Sequence, residues 1–253
     1  MNATILGLEL KRQMREFLGL FFIIILPGFF YLIFGAAMEF SSAPAGNGNV
    51  AMQVMISMAA YGAVVATTSI GGAAAVERMQ GWGRQLGLTP LRDRSYVLTK
   101  TVLGVLIAAL PIALIYTLGG VTGAEGTASA WVFSAVIALL GAGVFALWGL
   151  VFGLAIRTES AIGVASGSLV VLAFLGNMFF PLGGTLLTIA KFTPLYGYVS
   201  LARYPLTEGN ILDGIEGAVV HEPLWVPLLN MGVWTVLLAV LASLLVRRGR
   251  ARQ

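Results

Sequence analysis

Six stretches of this chain, at about 18–38, 51–76, 101–119, 129–156, 160–180 and 224–246, contain no Asp, Glu, Lys or Arg. Each is close to or above the roughly 20 apolar residues a helix needs to cross a bilayer core of about 30 Å. In hydrocarbon every backbone N–H and C=O must find its partner within the segment, so such runs fold as helices. The composition agrees: of 253 residues 58% are hydrophobic and only 10% charged, too few charges to cover a water-soluble domain. The expectation is an all-α membrane protein with six transmembrane helices, one transmembrane domain over 1–253.

Lys11, Arg12 and Arg15 precede the first apolar run. That run exceeds the 7–15 or so residues of a signal-peptide core, so it reads as a span and not a cleaved leader. Residues 2–16 mix Ile5, Leu6, Leu8, Leu10 and Met14 with Glu9, Lys11, Arg12 and Arg15. They read as an amphipathic helix in the membrane interface, cations near the lipid headgroups. Pro27 falls inside the first span and Pro111 inside the third; Pro27 should kink its helix. The second span is rich in Gly, Ala, Ser and Thr, which points to close helix packing and not to lipid contact. Ala142, Ala146, Gly149 and Gly153 share one face of the fourth span, and Gly163 and Gly167 form a small-xxx-small pair in the fifth.

The segment 181–205, PLGGTLLTIAKFTPLYGYVSLARYP, is apolar but carries Lys191 in its middle and is broken by Pro194. Each half is too short to cross. A re-entrant helical hairpin between spans five and six fits it, because membranes tolerate such backbone inside protein or beside a cavity. The cations then set orientation. One side carries Lys11, Arg12, Arg15, Arg78, Arg84, Arg92, Arg94, Lys100, Arg157, Arg247, Arg248, Arg250 and Arg252; the other carries only Lys191 and Arg203. Both termini and the 77–100 loop are expected in the cytoplasm, and the protein in the inner (cytoplasmic) membrane.

The chemistry that is missing narrows the function. Cysteine is absent and His221 is the single histidine, so no thiolate or multi-histidine metal site is expected. No GxxxxGK[ST] phosphate loop, HExxH or credible nucleophile elbow occurs. No catalytic residue and no cofactor is assigned to the chain. The six runs offer no ionisable group for an ion relay. Gln53, Asn177 and Asn230 read as interhelical hydrogen-bonding residues and not as ion ligands. A pump of this kind would need an external motor, and the charged loop at 77–100 is the evident handle. A basic loop solvated beside anionic headgroups explains the charge equally well.

The ordered features resemble the membrane subunit of type-2 ABC exporters, a permease family that exports drugs, lipids and polysaccharides. The leader LELKRQMREF runs into an aromatic first span, and GGAAAVERMQGWGRQLGLTPLRDRSYVLTK follows the second. FFPLGGTLLTIAKFTPLYGYVSLARYP follows the fifth, and the last span ends in arginines. The resemblance covers nearly the whole chain. It implies a paired permease, a second copy of itself or a similar chain, driven by a cytoplasmic ATPase subunit that holds ATP and Mg. Residues 77–92 would be the coupling loop, with Glu77, Arg78, Gly81, Trp82 and Arg84 at the contact. Phe180, Pro181, Pro194 and Tyr196 would belong to the external re-entrant gate. Where the family often has a second proline, this chain reads Gly183-Gly184. Membrane lipids and the two protein partners are expected, and no nucleic acid. The uncharged spans favour a drug-like or lipid-like cargo. A non-transporting scaffold shares the composition but gives no reason for a broken helix pair. An ion-coupled secondary transporter lacks its buried ionisable group.

Overall fold

The computed structural model describes residues 3–77, 93–156, 158, 160–215 and 217–250. Among them helices dominate: α1 (Ala3–Arg15), α2 (Phe17–Leu20), α3 (Leu26–Tyr31), α4 (Val50–Glu77), α5 (Asp93–Thr122), α6 (Ala128–Ala142), α7 (Val144–Ile156), α8 (Ser160–Leu175), α9 (Gly184–Ala190), α10 (Pro194–Thr207) and α11 (Trp225–Arg250). Among the described residues five helical segments are long and apolar enough to cross a membrane: Phe17–Ala36, Val50–Glu77, Thr99–Thr122, Ala128–Ile156 and Trp225–Arg248. The stretch expected to be the fifth span yields the shorter apolar helix α8. It ends at Leu175 and not near 180, because Gly176 and a left-handed Asn177 (φ 58°) terminate it.

The axis of the bundle is α4. In its most apolar window 83% of residues are buried, against 11% for α11. Its chemistry explains the difference. Small residues let neighbouring backbones come close, whereas α11 presents Leu228, Leu229, Val233, Val236 and Leu237 outward. α4 packs most extensively on α7 and α5. A Cβ at Gly71 would collide with the Ala146 carbonyl, and one at Gly149 with the Thr68 carbonyl. At Gly153 it would lie 2.5 Å from Ala75 Cβ. Threonines complete this seam. Thr67 Oγ1 donates to Ala142 O at 2.6 Å and Thr68 Oγ1 to Phe145 O at 3.1 Å. The Ala142 carbonyl takes that hydroxyl where α6 gives way to α7 and Ala146 N donates to Gly143 O at 3.2 Å.

The first span is not a uniform helix. Residues Phe21–Ile25 and Leu32–Ala36 are π-helical, and Pro27 sits in the first turn of α3 between them. Proline has no N–H for the carbonyl four residues back and crowds it; the wider turn accommodates both. At Gly62 of α4 a Cβ would lie 2.8 Å from that Ile23 carbonyl and 2.6 Å from Pro111 Cβ of α5. Tyr31 pairs with Thr122 at 2.7 Å, and Tyr116 with Ser134 at 2.7 Å, so α3, α5 and α6 are linked by hydroxyls.

Residues 181–205 form two helices, the short α9 and α10, parted at Lys191–Thr193. Thr193 caps α10, accepting from Tyr196 N at 3.4 Å, with Pro194 at its start. Asn230 of α11 holds the break by donating to Lys191 O (2.7 Å) and Thr193 O (3.1 Å). Two small antiparallel hairpins, absent from the sequence reading, complete the fold: β1–β2 (Pro44–Ala45, Gly48–Asn49) and β3–β4 (Asn210–Leu212, Val219–His221). Asn49 ties the first to the bundle, donating to Gly123 O at 2.8 Å and accepting from Met52 N and Glu125 N at 3.0 Å.

Candidate functional site

Where α4 ends and α5 begins, two carboxylates and two cations meet. Glu77 Oε1 lies 2.5 Å from Arg12 Nη2, and Glu77 Oε2 lies 2.7 Å from Lys100 Nζ. Glu9 completes the ring at 3.0 Å from Lys100 Nζ and 3.5 Å from Arg12 Nη2. Glu9 and Arg12 stand one turn apart on α1, on the side where Leu6 and Leu10 pack against the core. The side chains of Glu77 and Lys100 are only 11% and 9% exposed, so this is not a solvated surface pair of little consequence. Removing one partner would leave a charge in poor solvent. Burial alone would lower the Arg12 pKa. Its hydrogen bond to Glu77 and the charges of Glu9, Glu77 and Glu16 outweigh that and raise it, so the guanidinium stays charged.

Glu77 and Lys100 bracket the loop expected to carry coupling, and α1 is bonded to both sides of it. The cluster thus joins α1, α4 and α5. Of the residues expected there, Glu77 is in the cluster; Arg78, Gly81, Trp82 and Arg84 lie outside the described residues. Sequence reasoning did not single out Arg12 and Lys100 as Glu77's partners, nor Glu9 as the fourth member of the ring. A usable signal existed: a lone acid ends one uncharged run and a lone lysine begins the next.

The four residues expected at the other end fall into two environments. Phe180 and Pro181 line a cavity of about 200 Å³. The Phe180 ring stands 5.6 Å from Phe34 and 6.1 Å from Phe174. Pro194 and Tyr196 are buried at the start of α10. Tyr196 reaches back toward the cavity wall, donating its hydroxyl to Glu222 Oε2 at 2.8 Å. Burial first, then the hydrogen bond and charge of Glu222, push the Tyr196 phenol far up, so it remains the donor. Lys191 Nζ meets the other Glu222 oxygen at 2.9 Å. Gly183-Gly184 has a local reason. Gly184 is left-handed (φ +55°), and a Cβ at Gly183 would strike Asp213 and lie 2.7 Å from Ile215 N.

The helix-packing residues also divide. Ala142, Ala146, Gly149 and Gly153 lie in the seam with α4. Gly163 and Gly167 are exposed, and a Cβ at either would meet nothing within 4 Å. Two further residues anchor α10. Tyr198 donates to Ala138 O at 2.7 Å, and Arg203 bonds Ser57 Oγ at 2.7 Å. The sequence placed Arg203 only as an outward cation; the fold turns it onto the second turn of α4.

No family model matches the chain, and no solved structure matches it. Among curated proteins it is similar to the Bacillus subtilis (strain 168) protein named "Putative transport permease YvfS", at 25% identity over 248 residues, 96% of each chain. The chain is a distant, full-length homologue of that protein and a multi-pass membrane protein of helical spans.

Proposed function

We propose that the chain is the permease subunit of an ATP-driven exporter, paired with a second permease copy and driven by a separate ATPase subunit. The observation that carries this reading is the ion-pair cluster that fastens α1 to both flanks of the 77–92 loop. Full-length similarity to a protein named as a transport permease supports transport as the activity. The excess of cations at the end bearing Glu77 supports a cytoplasmic position for that end and for both termini, with α1 at the interface. Helices of 7 and 14 residues at 184–207, about 10 and 21 Å long, support a re-entrant external segment. The uncharged spans favour an amphipathic or apolar cargo.

The test is co-purification and ATP turnover. An ATPase subunit is expected to co-purify with the full chain. Arg84→Glu should cut cargo-stimulated ATP hydrolysis about tenfold, the equivalent of about 1.4 kcal/mol of coupling; Glu77→Arg should do the same with a loss of stability as well, because it sets a third cation beside Arg12 and Lys100. Full coupled transport by Glu77→Arg and Arg84→Glu together would remove the docking role. Transport by the purified chain alone, driven by an ion gradient, would replace the motor with an ion-coupled mechanism. Because the chain has no cysteine, a cysteine at Ser42 should react with an impermeant external reagent and one at Arg247 should not.

A further inference from the structure

The cavity at the end opposite the ion-pair cluster has an unusual charge balance. Arg203 forms part of its wall together with Phe34, Val54, Phe179, Phe180 and Glu222. The guanidinium donates from Nε to Ser57 Oγ (2.7 Å), from Nη1 to Asn177 O (2.8 Å) and from Nη2 to Met178 O (2.8 Å). Those are neutral acceptors. Among the described residues no carboxylate lies within the 4.0 Å of an ion pair to Arg203. Glu222, also in the wall, is engaged by Lys191 and Tyr196. Among the described residues, one positive charge is thus left at the cavity without an ion-pair partner. A guanidinium has five N–H hydrogens, and three are accounted for here. Fixing a charge away from bulk water without a counter-ion is unfavourable, and three backbone and hydroxyl contacts hold this one in place.

Beside polar residues such as Gln53, Ser200 and Tyr204, much of the wall is apolar and aromatic. Phe179 packs edge-on against Phe30 (6.0 Å), Tyr61 (5.1 Å) and Phe174 (4.9 Å). Phe180 bridges Phe34 and Phe174, and both Phe180 and Phe174 are about half exposed at the surface (48% and 49%). A row of rings therefore runs from Phe179 in the cavity wall to the outer face of the bundle. One fixed cation at the head of an apolar track matches a molecule with an acid group at one end and hydrocarbon behind it.

We propose that this cavity binds an anionic amphiphile, its carboxylate or phosphate on Arg203 and its chain along Phe179, Phe180 and Phe34. The site stands on the cavity alone and not on the export reading. A chain that bound such a molecule without transporting would keep the site; one that transported without binding here would lose the site and keep the export. A free fatty acid and an anionic phospholipid offer the same chemistry, and two probes separate them: oleate and phosphatidylglycerol, each with a photoactivatable diazirine in the chain.

The full protein in neutral detergent is crosslinked with each probe and the labelled peptides are mapped. Label is expected on peptides containing Phe34, Val54 or Phe180 with at least one probe, and the responding probe names the source. Unlabelled oleate or phosphatidylglycerol should displace it, with oleyl alcohol and inorganic phosphate about tenfold weaker or worse, from loss of the charged bond or the chain. Arg203→Gln should lower labelling about tenfold. Because Arg203 also anchors α10, Val54→Phe, which fills the cavity and leaves the charge, should lower it similarly. Labelling by neither probe, equal competition by oleyl alcohol or by phosphate, or unchanged labelling of Val54→Phe would overturn the site.

Discussion

The seam between α4 and α7 and the outer face of α8 carry the same sequence pattern and meet different fates. Gly149 and Gly153 are spaced as Gly163 and Gly167 are. The first pair admits the α4 backbone so closely that a single methyl would strike a carbonyl; the second has open space before it. A small-xxx-small pair thus reports that a backbone can approach, not that one from the same chain does. Position decides. α7 lies against the buried axis α4, while on α8 the residues Ala161, Ala165, Leu169 and Ala173 already serve that inward role, leaving the glycines on the other side.

The sharpest way to break this comparison is to enlarge one glycine from each pair. Gly149→Leu should lower stability by at least about 3 kcal/mol, or prevent folding, because α4 and α7 must part. The measurement is thermal unfolding in detergent. Gly163→Leu should leave the same unfolding curve within about 0.5 kcal/mol, as substitutions away from packed features do. A comparable loss at Gly163 would show that the two faces are equally packed.

A second experiment asks what the open face meets. With the second permease copy of the proposed function seated there, Gly163→Leu combined with Gly167→Leu should reduce crosslinked pairs about tenfold, or about 1.4 kcal/mol. Pairs unchanged in number would place lipid against that face. A smaller effect sharpens the seam itself. Thr67→Val keeps the shape and removes the hydroxyl bond to Ala142 O, and should cost about 1 kcal/mol in the same unfolding assay. A larger loss would make the threonine, and not the glycines, the main tie between α4 and the α6–α7 pair.

Much of the helical layout was legible because charge-free runs near 20 residues have few other fates, and Pro194 with Thr193 before it marks a helix start in any context. The small-residue richness of α4 likewise read through to a buried axis. The end of α8 was overestimated, although Gly176-Asn177 is a recognisable stop, because apolarity continues through Met178, Phe179 and Phe180. The Glu9–Arg12–Glu77–Lys100 ring and the turn of Arg203 onto Ser57 were not legible. Arg12 meets Glu77 across 65 positions and Arg203 meets Ser57 across 146, and charge counting assigns such residues to a side of the membrane but not to a partner. The β3–β4 hairpin was read as an acidic loop because its strands are three residues long, too short for alternation to register.

One consequence of the threonine bonds concerns what can move. Thr67 grips the last carbonyl of α6 and Thr68 one at the start of α7, Asn49 moors the start of α4 to the turn at Gly123–Glu125, and Glu77 moors its end to α1 and α5. Sliding α4 along its own axis by one residue, about 1.5 Å, would break all of these at once. The helix is thus an axle clamped at both ends and in the middle. Any cycle of opening and closing has to swing the surrounding helices about it, and a measurement of motion should find α4 the stillest part of the molecule.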